Sequence, residues 1–471
     1  MKGAIGNNST KIVIIGAGAA GIAAASRLYR HGFANVKILE AGDRIGGRIH
    51  SVKFGESFVD LGAQWCHGEQ NNLVYEMVKD LRLLTDDEHS PSLYHSRLKR
   101  VDWEFSTKLN QVFQQAFVGN NSEGRNMGDF LSERFRALIG RTWTGDKEQI
   151  LAGECLDLLR RQIESYFAVF SWRQLSTRSE HKISAGNQHL GWNGLGYKTI
   201  LDVLMKDAPI RDSVFLNKQV RKIALTPQSG ALVGCADGAR YNADHVIWTP
   251  SLGVLKRDYL SLFQPKLPER KIRSIQTLGF DAVAKIFIHF PRRWWNDDFQ
   301  GVQFVWNAED LQNSGRVFGE GPHQGSISWI TKIYGILPVQ RNPNLLLAWY
   351  CGEMVPEIER LPDRIIADGL MHTLERFVKR DYPNLTRPDK ILRKNWYSDP
   401  HFRGTYSFET VESRKLGAPQ SAVLSEPIVT NVGKPVLLFA GEATSSFYGA
   451  LVNGAIETGF READRIIKFY K

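Results

Sequence analysis

The sequence predicts an α/β protein in which a doubly wound parallel-sheet domain is joined to a second, α+β domain with a mixed or antiparallel sheet. Three observations predict it. Residues 11–32, KIVIIGAGAAGIAAASRLYRHG, pass from a β-branched run through a glycine turn into an alanine-rich helical stretch, and a second strand at Val36 to Glu40 follows at once. From about Asn71 to Gln188 the pattern becomes helical, rich in aromatic and charged residues. Between Lys285 and Val355 aromatic and aliphatic residues alternate, as in KIFIHF and LLLAWYCGE, which is the spacing of strands that line a core or a cavity.

The first of these is a βαβ unit, the nucleus of a doubly wound sheet. Further strand signals lie at Val214 to Leu225, Ala231 to Val233 and Ala243 to Pro250, and the chain closes with a buried strand, VLLFAG, and a helix from about Gly454 to Phe469. The first domain is therefore expected to be discontinuous, built from 1–70, 190–265 and 395–471. Residues 71–189 and 266–394 then form the second domain, with the helical stretch as an insertion. A chain of 471 residues is too long for one ordinary core, which agrees with two.

Composition excludes several classes. Hydrophobic residues at 42% and charged residues at 23% are ordinary for a globular protein, so the whole chain is expected to fold. The net charge of +10 is dispersed: Arg270, Lys271, Arg273, Arg292 and Arg293 sit beside apolar or acidic residues, as on a solvated face rather than a nucleic-acid surface. A net positive protein does not steer cations, so a cationic substrate would need acidic residues near the site. The cysteines Cys66, Cys155, Cys235 and Cys351 show neither a CxxC pair nor metal-ligand spacing, and read as buried reduced thiols with no metal. No window of about twenty apolar residues occurs, since Glu442 interrupts the best one, and the apolar run near the N-terminus is the first strand rather than a leader. The expectation is a cytoplasmic protein, with the nucleus as a second compartment, that binds neither membrane nor nucleic acid and is a monomer or weak homodimer.

Gly16, Gly18 and Gly21 form GxGxxG directly between predicted strand and helix, the context in which that pattern binds a dinucleotide. Gly16 permits the tight turn. Gly18, with Ala19 opening the helix, lets a pyrophosphate approach the backbone, and Gly21 lets helix and strand pack closely. Glu40 ends the second strand about twenty residues on, where a carboxylate meets ribose hydroxyls. A merely structural glycine turn with Glu40 on the surface is the competing reading, and the strand–turn–helix context disfavours it. The AGDRIGGRIHS stretch that follows brings Gly46, Gly47 and the planar donor fork of Arg48 to the same cofactor.

This GG-Arg extension resembles that of the glutathione-reductase-like FAD proteins, and in particular the flavin amine oxidases. Beyond it the chain resembles the polyamine oxidase and spermine oxidase branch over essentially its full length. The resemblance is carried by DLGAQWCHG (60–68), VIWTPSLGVLK (246–256), WYSDPHFRGTYSF (396–408) and FAGEATSSFYGALVNGAIETGFREADRI (439–466). It implies FAD as cofactor, with Gly62, Ala63, Gln64 and Trp396 passing the flavin, backbone at Val220 meeting adenine, and Glu442 holding the ribityl chain. Gly454 and Ala455 would start a helix whose positive end faces the pyrimidine ring. Lys285 matches the lysine that holds a water near flavin N5, the alternative being a strand lysine facing solvent. His67 would contact the substrate amine or move its proton, beside Trp65. Thr405 stands where monoamine oxidases carry the cysteine bonded to flavin, so the FAD should be non-covalent.

The chain departs from the family at the substrate. Tyr406 supplies one aromatic wall, but the second position is Leu451, which lacks the ring quadrupole that attracts a cation, and Asn453 replaces a histidine of the animal polyamine oxidases. The resemblance implies hydride transfer from an amine α-carbon to N5, reduction of O2 to hydrogen peroxide, and hydrolysis of the imine to an aldehyde and a shorter amine. The expected substrate is spermine, spermidine or an N-acetylated form; the alternatives are another amine such as an arylalkylamine, or a flavin-binding protein whose catalytic surroundings have drifted. Glu180 and Glu353 are candidate partners for a distal ammonium.

Overall fold

The computed structural model describes residues 9–97, 100–118, 124–178, 182–226 and 230–471. Strand β1, Ile12–Ile15, is followed by helix α1, Ala19–Arg30, and strand β2, Val36–Leu39. A strand of four β-branched residues with no polar face must be covered on both sides, and β1 is buried throughout. It sits inside a six-stranded sheet ordered Ile428–Val429, Pro435–Phe439, His245–Trp248, β1, β2, Val214–Phe215. All neighbours run parallel except the edge strand Ile428–Val429.

The two faces of this sheet enter different cores, as the period of two requires. Ile12, Ile14, Ile38 and Leu438 pack against the alanines of α1, whereas Val13, Ile15, Val246 and Leu437 pack against Val220, Ile223 and Val233 of a second, four-stranded sheet. The small residues of α1 let neighbours approach closely. A Cβ at Gly21 would stand 2.1 Å from the Gly16 carbonyl oxygen, and one at Gly459 2.3 Å from the Ala20 carbonyl oxygen. Gly21→Ala is accordingly expected to lower stability by about 1–3 kcal/mol, because the clash is with main chain that cannot rotate away. A urea unfolding curve and the flavin content of the purified variant check it.

The helical insertion contains Trp103–Phe117, Met127–Thr142, Asp146–Glu154 and helix α2, Leu156–Phe167, around a core that includes Phe105, Leu109, Phe135 and Leu159. It is less uniformly helical than its periodicity suggests. Thr85–Asp86 and Ser92–His95 are strands, and the described residues between Ala168 and His189 contain no helix. Ser92–His95 is a strand because it pairs in parallel with Val302–Val305, a partner far away in sequence that no local pattern announces.

Strands β3, Ala284–His289, and β4, Asn342–Tyr350, are the centre of the second large sheet. Its order is Lys390–Arg393, β3, β4, Ile333–Val339, Val302–Val305, Ser92–His95, antiparallel until the last pair, so the sheet is mixed. Gly279–Asp281 pairs with Tyr406–Phe408, joining chain segments assigned from sequence to different domains. The chain ends in helix α3, Val452–Phe469, which begins two residues before Gly454. The four cysteines are buried and free. No described helix is long and apolar enough to cross a membrane.

Candidate active site

One cavity of about 820 Å³ extends from the turn after β1 to the aromatic face of β3 and β4. The expected cofactor, catalytic and substrate-wall residues all line it except Gly21 and Gly454. Those two act behind the wall: Gly21 lies against the Gly16 carbonyl, and a Cβ on Gly454 would stand 2.1 Å from the Tyr448 carbonyl oxygen.

At the nucleotide end Gly16 turns with φ +97°, a conformation that favours glycine. Both oxygens of Glu40 are fixed by main chain, Oε2 accepting from the Ala17 N–H at 2.7 Å and Oε1 from the Gly42 N–H at 2.8 Å. A carboxylate has lone pairs beyond these two, and Glu40 faces the cavity, as binding of ribose hydroxyls requires. The first turns of α1 and α3 carry no acidic residue and no side-chain cap. Two helix N-termini with free N–H groups thus open on one cavity, a donor set suited to a pyrophosphate at one end and to negative charge on a reduced flavin at the other. These residues fit FAD.

Between the two ends, Arg48 donates to the Thr405 carbonyl at 2.6 Å and to Glu442 Oε1 at 2.8 Å. The other oxygen of Glu442 accepts from Ser407 N–H at 3.2 Å, Ser407 Oγ at 2.6 Å and Ala450 N–H at 3.2 Å. Glu442 therefore organises the wall on which the flavin would lie as well as facing the cavity itself. Trp396 is held by its indole N–H on the Leu61 carbonyl at 2.9 Å, Ala63 N–H bonds the Arg48 carbonyl at 3.1 Å, and Gln64 continues the same wall.

Lys285, on β3, does not face solvent. Its Nζ donates to the carbonyl oxygens of Asp60 and of Gly62, the latter at 3.0 Å. Burial lowers its pKa to about 7, opposed by the charges of Asp60 and Asp87. Trp349 is its register partner on β4, and the ammonium lies 5.2 Å from the centre of that ring. Trp349 in turn stacks on Trp65, with centroids 5.8 Å apart and planes at 16°.

Around Trp65 stand His67 and His189, edge-on at 6.3 and 5.2 Å. His67 Nδ1 bonds the Gln188 carbonyl at 2.6 Å, and burial lowers its pKa to about 4, so the imidazole is neutral at pH 7. The Trp65 indole N–H donates to Asp87 Oδ2 at 2.7 Å. Asp87 is 8% exposed, lines the cavity, and has no lysine or arginine partner among the described residues; its nearest basic atom is His89 Nε2 at 3.4 Å. Opposite, the Tyr406 hydroxyl is held by the carbonyls of Ser165 and Tyr166 at the end of α2, at 3.1 and 3.2 Å. Leu451 is the residue preceding α3, and Asn453 Oδ1 accepts from the Leu73 N–H at 2.9 Å.

Asp87, Trp349 and His189 were not expected from the sequence. Trp349 was legible in principle, because in KIFIHF and LLLAWYCGE it has the strand parity that faces Lys285. Asp87 sits in the run Asp86-Asp87-Glu88, which reads as a solvated charge cluster until the fold turns one member inward. Of the acidic residues suggested for a distal ammonium, Glu353 does not line the cavity, because its carboxylate is held by Lys332 at 2.8 Å. Glu180 lies outside the described residues.

The chain belongs to the family of flavin containing amine oxidoreductases, whose model matches residues 19–467. It is an amine oxidase with FAD as its cofactor. Probable polyamine oxidase 5 of Arabidopsis thaliana is 28% identical over 98% of each chain. The human peroxisomal N(1)-acetyl-spermine/spermidine oxidase is 28% identical over 98% of this chain and 95% of its own. A putrescine oxidase redesigned in its cofactor binding shares the fold, with a TM-score of 0.66 and 17% identity over 97% of this chain and 99% of that one.

Proposed function

We propose that the protein oxidises a polyamine, spermine, spermidine or an N-acetylated form, at a carbon next to an amine nitrogen. Asp87 carries the proposal: a buried carboxylate on the cavity wall, with no lysine or arginine salt bridge among the described residues and beside two stacked indoles, suits a substrate with a second, charged nitrogen. Bound FAD supplies the electron acceptor for hydride from the α-carbon, O2 then takes the electrons to give hydrogen peroxide, and the imine is hydrolysed to an aldehyde and a shorter amine. The protein's part is to bind, orient and desolvate. Burial around neutral His67 disfavours ammonium at the reacting nitrogen, Tyr406 and Leu451 flank it, and Lys285 holds a water beside the flavin. Relatives named for polyamine and acetyl-polyamine oxidation support the reading. With Thr405 unable to form a thioether, the FAD is bound without a covalent link.

A panel of spermine, spermidine, their acetylated forms and arylalkylamines, read by peroxide release and anaerobic bleaching of the flavin, tests it. Bleaching by arylalkylamines alone would favour the second reading, which Leu451 motivates. Asp87→Asn keeps the acceptor for the Trp65 indole while removing the charge. It is expected to lower kcat/KM for polyamines roughly 10- to 100-fold, the value of about 1.5–3 kcal/mol for a charged hydrogen bond, and to leave any arylalkylamine rate unchanged. An equal loss on both substrates would count against a distal ammonium at Asp87.

A further inference from the structure

Asp60 and Lys285 come from the β-hairpin before the cavity and from β3, and the fold brings them together with both side chains buried. Lys285 Nζ donates to the main-chain oxygen of Asp60 itself, and Asp60 is 7% exposed. The Asp60 carboxylate is held by the Ser51 hydroxyl and by the Tyr197 N–H, at 3.0 and 3.2 Å from its two oxygens. Lys285 has no salt bridge among the described residues, and of the two carboxylates whose charge favours its ammonium, Asp60 and then Asp87, the stronger is held on the residue whose carbonyl it grips. Asp60 does not line the cavity.

We infer that Asp60 is the positioning counter-charge of Lys285, and that its anion keeps the lysine within reach of protonation during turnover. The inference rests on the reading that Lys285 works beside the flavin. The groups facing the pair are Lys198, Tyr197 and Cys66 on the Asp60 side and Asp87 on the Lys285 side. Burial raises the pKa of Asp60 and lowers that of Lys285, each opposed by the other's charge, so that both shift toward neutrality.

The sign of the pH dependence follows from linkage. The folded state holds the Asp60 proton more tightly than the unfolded chain does, so that contribution to stability is lost as pH rises from about 4 to about 6. The folded state holds the Lys285 proton less tightly, so stability is regained as pH rises from about 7 toward 10.5.

Asp60→Asn retains an acceptor for Ser51 and Tyr197 and removes only the charge. In the holoenzyme the urea midpoint of the variant relative to wild type should rise as pH rises from 4 to 6, a difference in which the titrations of Glu164, His50, His67 and His245, common to both proteins, cancel. The inflection near pH 7 in the pH profile of flavin reoxidation should move about one unit or more to lower pH. In a Lys285→Met background the same substitution should move no inflection. Ser51→Ala, which weakens the hold on the anion, should shift the Lys285 inflection in the same direction by less, and serves if Asp60→Asn does not fold. An unmoved inflection, or an equal shift without Lys285, overturns the inference. If instead Lys285→Met alone leaves reoxidation unchanged, the role of Lys285 at the flavin fails, while the midpoint curves still report whether the two charges are coupled.

Discussion

Lys285→Met is expected to slow the flavin half-reactions about a hundredfold or more, with the protein still folded and still yellow. Methionine matches the length of the lysine stem but offers no donor, so the water that we propose Lys285 holds near the flavin would lose its holder; positioned proton-handling groups are typically worth about 10²–10⁴ in rate. The fold tolerates the change because two opposing effects accompany it. The carbonyls of Asp60 and Gly62 lose a donor, which costs about 1–3 kcal/mol, while a cation that burial has already pushed toward neutrality is removed. Stopped-flow measurement of anaerobic reduction and of reoxidation by O2 separates the two half-reactions. Unchanged rates in both would remove the assigned role.

Glu442→Ala is expected to give a destabilised protein that does not retain flavin. The side chain answers one guanidinium and three other donors: Arg48, the Ser407 N–H and hydroxyl, and the Ala450 N–H. Removing one partner of a buried ion pair costs about 3–5 kcal/mol, because the other charge is left uncompensated. Ala450 adds to the effect, since it holds φ +66°, a strained conformation for a residue with a Cβ that persists only when its surroundings enforce it. Released, it frees Leu451 and the start of α3, the helix end that we propose faces the flavin ring. Glu442→Gln, which can keep the shape and part of the bonding, should fall between wild type and alanine. The ratio of flavin to protein absorbance, with the urea midpoint, checks both. An alanine variant with full flavin content would show that Arg48 and the Ala450 turn hold without it.

The nucleotide half of the site was legible because its chemistry is local. Gly16, Gly18, Gly21 and Glu40 lie within one strand–turn–helix–strand unit, and each is required for a reason that acts over a few residues. In the proposed substrate half the motifs pointed to His67, Tyr406 and Lys285, and all three line the cavity. Asp87 was hidden because a run of acidic residues has the same composition whether all of it is solvated or one member turns inward. Glu353 looked available because its neighbour Lys332 is distant in sequence yet 2.8 Å away in space.

The sequence by itself determined the class: an α/β chain with a dinucleotide turn and a run of family motifs in order, with Leu451 and Asn453 at positions where the resemblance implies an aromatic ring and a histidine. Only the tertiary structure decided which charges meet and in what state. Asp60, Asp87, Lys285 and Trp349 are contributed by separate strands and loops, and they converge because β3 and β4 pair in one register and the hairpin ending at Asp60 packs against them. The protonation of Lys285 and His67 follows from burial, which is a property of what surrounds a side chain and not of the residue.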